Sequence, residues 1–416
     1  MLETGTQPGV ESPPQQRSAV RRWGVVGGST VAMIVGNGPI ILSTFGVLVG
    51  PITAEFGWRR GSLASAVLAA HVAGALVMPF MGSLLDRVGT RRVVLPALIA
   101  FAALFASVAY LPGNATLFIC VYAAIGLIGA GHSTLPYSRA VSTWFQKKRG
   151  RALGVALAGV GIGQVLIPQV ARLLVASHGW RGAYIGLAAL ILLIAFPAVL
   201  LLVRDRGTAK GGNRVARDDT AAAGMTLSQG IRTSQFWVLG AVLFLVAATV
   251  NGTIAHVVPL LTDRGVSVVA ATAALSVAGL AAIAGRVLSG FCLDRFFAPY
   301  VAAFFFLLPL LGLCLLGLHG GITISILAAV LLGLGSGAEV DIMSFLIIKY
   351  FGLRHYGSIY GTLLALFTLG SGSGPWLIAY PSDTFGSYTP ALIGGGIALM
   401  MASALVTRLG PYKAEY

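Results

Sequence analysis

Residues 82–92 read Gly-Ser-Leu-Leu-Asp-Arg-Val-Gly-Thr-Arg-Arg, and a shortened copy, Gly-Phe-Cys-Leu-Asp-Arg, stands at residues 290–295. Asp86 recurs as Asp294, an offset of 208. Gly154 recurs as Gly361 and Pro168 as Pro375, each at 207, and Phe145 recurs as Phe351 at 206. Four markers on different segments share an offset that is half of the 416-residue length, the pattern of an internally duplicated chain. Asn37 with Gly38 and Asn251 with Gly252 also correspond, at 214, so the first hairpin is longer by about six residues.

Around these markers the chain is apolar. Hydrophobic residues make up 56% and charged residues 10%, against about 25% charged in an average soluble domain, and the mean hydropathy is +0.87. Apolar runs recur near 23–48, 61–82, 93–111, 116–138, 150–175, 182–203, 235–260, 269–292, 300–318, 322–346, 357–379 and 389–408. Each is long enough to cross a hydrocarbon core of about 30 Å as a helix. Their continuity excludes the short alternating segments of a β-barrel. The expected fold class is an all-α membrane protein of about twelve transmembrane helices in two pseudo-symmetric six-helix bundles. Residues 1–22 form a tail, 23–203 the first bundle, 204–234 a linker, 235–408 the second bundle and 409–416 a second tail.

The net charge of +15 raises the question of nucleic acid, and position answers it. Of the 28 Lys and Arg residues, 22 fall in the tails, the linker and the alternate loops that begin after the second span. Arg59, Arg60, Arg172, Arg181 and Arg264 lie on the opposite side. This is a positive-inside distribution: it places both termini in the cytoplasm, with the plasma membrane as the expected location. Nucleic acid is not an expected partner. Cys120, Cys292 and Cys314 all fall in spans without metal-ligand spacing, so neither a disulfide framework nor a metal site is expected. Neither a nucleotide-binding loop nor a nucleophile constellation is present, and a non-enzyme without cofactors is expected.

The one remaining cation, Arg286, lies deep in the eighth apolar run. A guanidinium there costs about 2.5 to 3.5 kcal/mol on insertion scales and calls for a partner or a task. Glu339 precedes Lys349 by ten residues, about 15 Å of helix, and Arg286 precedes Arg295 by nine, about 13.5 Å, so both reach a similar depth. Asp341 is two residues on, about 200° around the helix, so one acid can meet Arg286 while the other pairs elsewhere. A substrate anion that takes Arg286 would release an acid to bind a proton. A permanent ion pair between two helices is the alternative. His71, His132 and His256 are further proton or ligand candidates, His256 lying one turn beyond Asn251 on the same face. Asn37, Asn251, Gln164 and Gln169 can orient a ligand or bridge helices. Gly126, Gly129, Gly131, Gly333, Gly335 and Gly337 are expected to let helices approach closely.

Residues 82–92 resemble the signature loop of the major facilitator superfamily. In that superfamily glycines such as Gly82 and Gly89 allow close packing, and an acidic and a basic residue, here Asp86 and Arg87, latch a cytoplasmic gate. Asp294 and Arg295 match the second copy. Trp144 to Arg149, followed by Ala152, Gly154, Ala156, Ala158, Gly159 and Gly163, is similar to the fifth-span signature of the monocarboxylate porters. Phe45, Gly46, Val47, Phe56, Gly57 and Trp58 resemble their first span and the loop beyond it, and residues 232–237 resemble the seventh-span start of bacterial oxalate-type relatives. The resemblance implies a substrate carboxylate on Arg286. Ala282 stands where proton-coupled members carry an aspartate, and Ser43 where they carry a lysine, so coupling and substrate identity rest on other residues.

The expected function is proton-coupled uptake of a small organic anion, monocarboxylate-like, by a monomer in the bilayer. Asn37, Ser43, Asn251, His256, Tyr122 and Tyr360 are ligand candidates beside Arg286, and Glu339, Asp341, His71 and His132 are proton candidates. Alternatives are uptake of a larger aromatic or vitamin compound such as riboflavin, stacked on Tyr122, Tyr137, Phe345, Tyr360 or Trp376, efflux by antiport, and a membrane sensor that does not transport.

Overall fold

The computed structural model describes residues 13–58, 60–145, 148–205, 224–318 and 321–412. The start of the first tail, linker residues 206–223 and the last four residues lie outside the described residues. The first span is α1 (Pro13–Ile34), a π-helical turn (Pro39–Ser43) and α2 (Thr44–Phe56). The remaining first-half elements are α3 (Arg60–Val88), α4 (Thr90–Ser107), α5 (Ala115–Gly129), α6 (Thr134–Trp144), α7 (Arg149–Leu190) and α8 (Phe196–Leu202). A short helix α9 (Leu227–Ile231) precedes α10 (Ser234–Thr262), α11 (Val268–Leu293), α12 (Ala298–Gly317), α13 (Gly321–Phe351), α14 (Tyr356–Phe385) and α15 (Thr389–Thr407). α1 starts at Pro13, so residues 13–22, read from composition as tail, extend the first helix.

Among the described residues ten helices are long and apolar enough to cross a membrane, and one of them, Arg149–Leu202, holds two crossings in its 54 residues. It reverses at Gly179, whose φ of 69° lies in the left-handed region that glycine enters without a Cβ penalty. Past the turn, Gly186 faces Leu174 of the preceding arm. Counting both arms and α14, the described residues make twelve crossings, six in each half.

Proline and glycine set where helices bend and touch. Val35 and Gly36 interrupt the first span, and the π turn begins at Pro39, whose missing N–H breaks the regular ladder. Close approaches run along glycine seams. A methyl group on Gly126 would collide with the Ala70 carbonyl, which brings α5 onto α3. One on Gly333 or Gly337 would collide with the Ala278 or Ala282 carbonyl, and one on Gly285 with that of Leu334, so α11 and α13 meet backbone to backbone. The expected small-residue faces at Gly126 and Gly333 to Gly337 are therefore helix contacts.

At the end remote from the termini, Glu55 stitches the first span to the Gly179 turn. It accepts from Trp180 Nε1 at 2.6 Å and from Arg181 Nη1 at 2.6 and 2.7 Å. Arg181 first, and Trp180 second, hold the Glu55 carboxyl below its usual range.

Replacing Gly337 by Leu forces α11 and α13 apart and tests this seam. Overpacking of about 1 to 3 kcal/mol lowers the Tm of the purified protein by roughly 1 to 3 °C. An unchanged Tm would show that the contact carries no such strain.

Candidate functional site

The two halves meet most closely at the end of the bundle that carries the termini. A Cβ on Gly82 would strike Gly357, one on Gly361 would strike Met78, and one on Gly150 or Gly154 would strike the α11 backbone at Gly290 or Arg286. Each contact leaves exposed helix-start amides opposite a carboxylate. Asp86 accepts from Gly357 N, Ser358 N and Ser358 Oγ, all at 3.0 Å, satisfying first-turn amides of α14 that have no partner within the helix. Asp294 accepts from Gly150 N at 2.7 Å and Arg151 N at 3.1 Å, at the start of α7. Each half thus caps a helix of the other, through residues related by the duplication.

Arg139 and Asp205 complete the first latch. Arg139 Nε lies 3.2 Å from Asp86 Oδ1, and its Nη1 is 3.6 Å from Asp205 Oδ1. Asp205 in turn accepts from Thr90 N and Arg91 N, capping α4. Gly89, with φ of 92°, makes the tight entry to α4 against the Asp205 carboxylate. The duplicated position is filled by Tyr412, whose hydroxyl accepts from Ala298 N at 3.0 Å. Arg87 is exposed beside this network, and Arg295 lies over the Phe291 ring at 4.2 Å. Neither Arg139 nor Asp205 was singled out from sequence. Asp205 had a signal, as the first acid after the sixth span and one duplication length before Tyr412.

Further in, α11 and α13 bring the intramembrane charges together. Arg286 is 7% exposed, Glu339 2% and Asp341 0%. Arg286 Nη1 lies 3.7 Å from Asp341 Oδ1, close enough for an ion pair and too far for a hydrogen bond. Nε and Nη1 of Arg286, both oxygens of Asp341 and Oε1 of Glu339 have no hydrogen-bond partner. Glu339 lies beside Asn251 of α10, whose Nδ2 donates to the Ala247 carbonyl at 3.1 Å. The two acids turn to different neighbours, as their separation around the helix requires. Tyr360 of α14, near Asp341, reaches across to the other half, its hydroxyl 3.4 Å from Thr134 Oγ1. Arg286, Asp341, Glu339, Asn251 and Tyr360 therefore form one polar cluster at the meeting of the halves.

Other candidates sit apart from it. Nε2 of His132 donates to the Val35 carbonyl at 3.1 Å, and Nδ1 meets the Tyr137 hydroxyl at 2.7 Å. His132 thus satisfies a carbonyl freed where the first span breaks, a structural use of both ring nitrogens. The Tyr122 hydroxyl bonds that of Tyr184 at 2.5 Å inside the first bundle. Tyr122 and Tyr137 are both buried there, and Trp376 is 64% exposed on the bundle surface, so these rings do not gather around a common aromatic ligand. His71 Nδ1 bonds the Val67 carbonyl of its own helix at 2.8 Å. His256 Nε2 bonds the Pro375 carbonyl at 3.0 Å, joining α10 to α14. Asn37 is half-buried beside the break, near Gly129, and Ser43 closes the π turn. Among the described residues, no group of three or more His, Cys, Asp and Glu side chains is arranged to hold a metal.

Residues 31–375 match the sequence profile of the Major Facilitator Superfamily. Monocarboxylate transporter 13 of Rattus norvegicus is 28% identical over 386 residues, which cover 89% of this chain and 85% of that protein. An uncharacterized MFS-type transporter of Escherichia coli, YhjX, is 25% identical over 297 residues, covering 70% and 71%. Among solved structures, the Escherichia coli fucose:proton symporter FucP superposes with a TM-score of 0.72 at 15% identity, over 94% of this chain and 99% of that one.

A double-variant cycle tests the buried pair. Removing one partner of a buried ion pair typically costs about 3 to 5 kcal/mol, whereas replacing both with apolar groups is far less costly. Arg286→Leu and Asp341→Leu should each lower the Tm, and the combined variant should recover most of the loss. Additive losses would show that the two charges do not interact.

Proposed function

The chain belongs to the major facilitator superfamily and is a membrane transporter, not an enzyme, and we propose that it takes up a small organic anion together with protons. The observation that carries this reading is Arg286: buried and paired with Asp341 at 3.7 Å, yet with Nε and Nη1 still lacking hydrogen-bond partners. A guanidinium is a fork of donors suited to two oxygens of one carboxylate. A substrate carboxylate that supplies those bonds competes with Asp341 for the charge. Once Arg286 is occupied, Asp341 is a buried carboxylate without its counter-ion, and protonation removes the cost of its charge. Binding of anion and proton are then linked through one arginine, with no need for an acid at Ala282. Asn251 and Tyr360 orient the ligand, and Glu339, beside Asn251, is the second proton-binding group. The resemblance to a protein named as a monocarboxylate transporter supports the choice of anion.

The two helix caps close the end that carries the termini, and the positive-inside charge distribution assigns that end to the cytoplasm. The conformation is thus one closed to the cytoplasm, in a monomer of the bacterial inner membrane. The Asp86 and Asp294 caps, with the close contact at Gly82, form the gate that must part for release, while Arg87 and Arg295 flank it and Gly89 shapes the α4 entry behind it.

Two measurements test the reading. Thermal shift of the purified protein against organic acids, aromatic acids and vitamins should show stabilisation by a small carboxylate. Changing Arg286 to Gln in an Asp341→Asn background, which removes the arginine together with its ion-pair partner, should weaken that binding about 10- to 100-fold, the worth of lost charge-assisted hydrogen bonds. Unchanged binding would remove Arg286 from the site.

Adding substrate to de-energised cells should alkalinise the medium as protons enter with the anion, and Asp341→Asn or Glu339→Gln should abolish the change. Uptake with no pH change would point to uniport or exchange.

A further inference from the structure

A cavity of about 590 Å³ opens on the terminus-bearing side of the contact between α7 and α11, within the rough 300 to 1,000 Å³ range of small-molecule sites. Lys148, Arg149 and Arg151 line it from the first half, and Arg295 and Lys349 from the second. Among the described lining residues Asp294 is the one acid, and both of its oxygens already accept from the amides of Gly150 and Arg151. Five cations therefore converge on a carboxylate whose hydrogen bonds are largely spent.

Aromatic faces hold the cations in place. The guanidinium carbons of Arg151 and Arg295 each lie 4.2 Å from the centroid of one ring, Phe291. The Lys349 ammonium is 5.3 Å from the Tyr412 ring. Such contacts orient a cation without neutralising it. Arg151 also pairs with Asp294, Nε to Oδ2 at 3.8 Å, whereas among the described residues Arg295 and Lys349 have no acidic partner. Arg149 is almost fully buried, with Nε donating to the Phe145 carbonyl. Lys148 alone among the described non-glycine residues has a left-handed backbone, φ 61°, where it starts α7 at the cavity edge. A residue other than glycine held in that region is costly and persists where its surroundings require it.

We infer that this cavity binds a phosphate group, from a phospholipid headgroup or from a soluble phosphate. Several like charges in a partly enclosed space repel one another, and an oxyanion of more than one charge, with several acceptor oxygens, relieves that repulsion and takes up the free donors. Basic pockets between helices on the cytoplasmic side suit anionic headgroups. Both halves supply the cations, so the site exists only while the Gly150 and Gly290 contact is closed. A bound phosphate favours that state and opposes opening toward the cytoplasm. The inference rests on the closed contact and is independent of what Arg286 binds.

The test uses the purified full-length protein in detergent. Its Tm is followed against pyrophosphate at constant ionic strength, with chloride as the control. Separately, it is followed in mixed micelles containing phosphatidylglycerol or cardiolipin, with phosphatidylcholine as the control. Saturating ligand should raise the Tm by roughly 5 °C. The Arg295→Gln/Lys349→Gln variant should lose more than half of the rise. Lys148→Gln, at an exposed side chain, should lose part of it and guards against a folding defect in the double variant. Arg91→Gln/Arg92→Gln, which removes the same charge at the start of α4, should keep it. A response to the anionic lipids alone identifies a headgroup site, and a response to pyrophosphate, with or without lipid, identifies a site for phosphate reached from solution. No rise with either probe, or an equal loss in the α4 variant, overturns the inference.

Discussion

Two carboxylates, Asp86 and Asp294, hold the first free amides of helices that belong to the opposite half of the molecule. Helix starts expose N–H groups with no partner in the helix, and at the edge of a membrane those groups need an acceptor. By supplying it across the halves, each carboxylate couples the satisfaction of a backbone to the closure of the bundle. Glycines make this reach possible, because a Cβ at residue 82, 150, 290 or 357 would hold the helices apart. The internal polar cluster is built within the second half and meets the first at the same seam, where Gly154 packs on the Arg286 backbone and Tyr360 reaches Thr134.

Much of this was legible in the sequence, and the exceptions have physical reasons. The offset between Asp86 and Asp294 identified the duplication, and the apolar runs identified the crossings. The partners of those acids were not legible, because they are backbone amides, which every residue except proline carries. Depth alone brought Arg286 level with Glu339 and Asp341, but the choice between the acids needed packing. The contact of Gly333, Gly337 and Gly285 sets how α13 is turned toward α11, and that rotation puts Asp341 on the arginine and Glu339 on Asn251. The hairpin at Gly179 falls in the gap between the apolar runs 150–175 and 182–203, so its place was legible, whereas the reversal through a single left-handed glycine was not.

Histidine and tyrosine candidates show the limit of reading polarity from depth. His132 was attractive because it is a titratable group inside a span. It serves the Val35 carbonyl, which is free because the first span breaks before Pro39, and that need arises in a different helix 97 residues away in sequence. Tyr122 likewise finds its partner in Tyr184, on the sixth span. In both cases a polar group at membrane depth satisfies another part of the same bundle, which is the ordinary solution in a medium without water.

The reversal at Gly179 has a mechanical consequence. One residue joins the fifth and sixth crossings, and Glu55 ties that corner to the end of the first span through Trp180 and Arg181. The corner has no slack, so these three crossings act there as a single strut. A displacement of the fifth crossing at the Gly150 end is transmitted to the far side of the membrane as tilt. Freedom to bend is left to the interruption at Val35 and Gly36, which makes that broken segment the natural pivot of the first half.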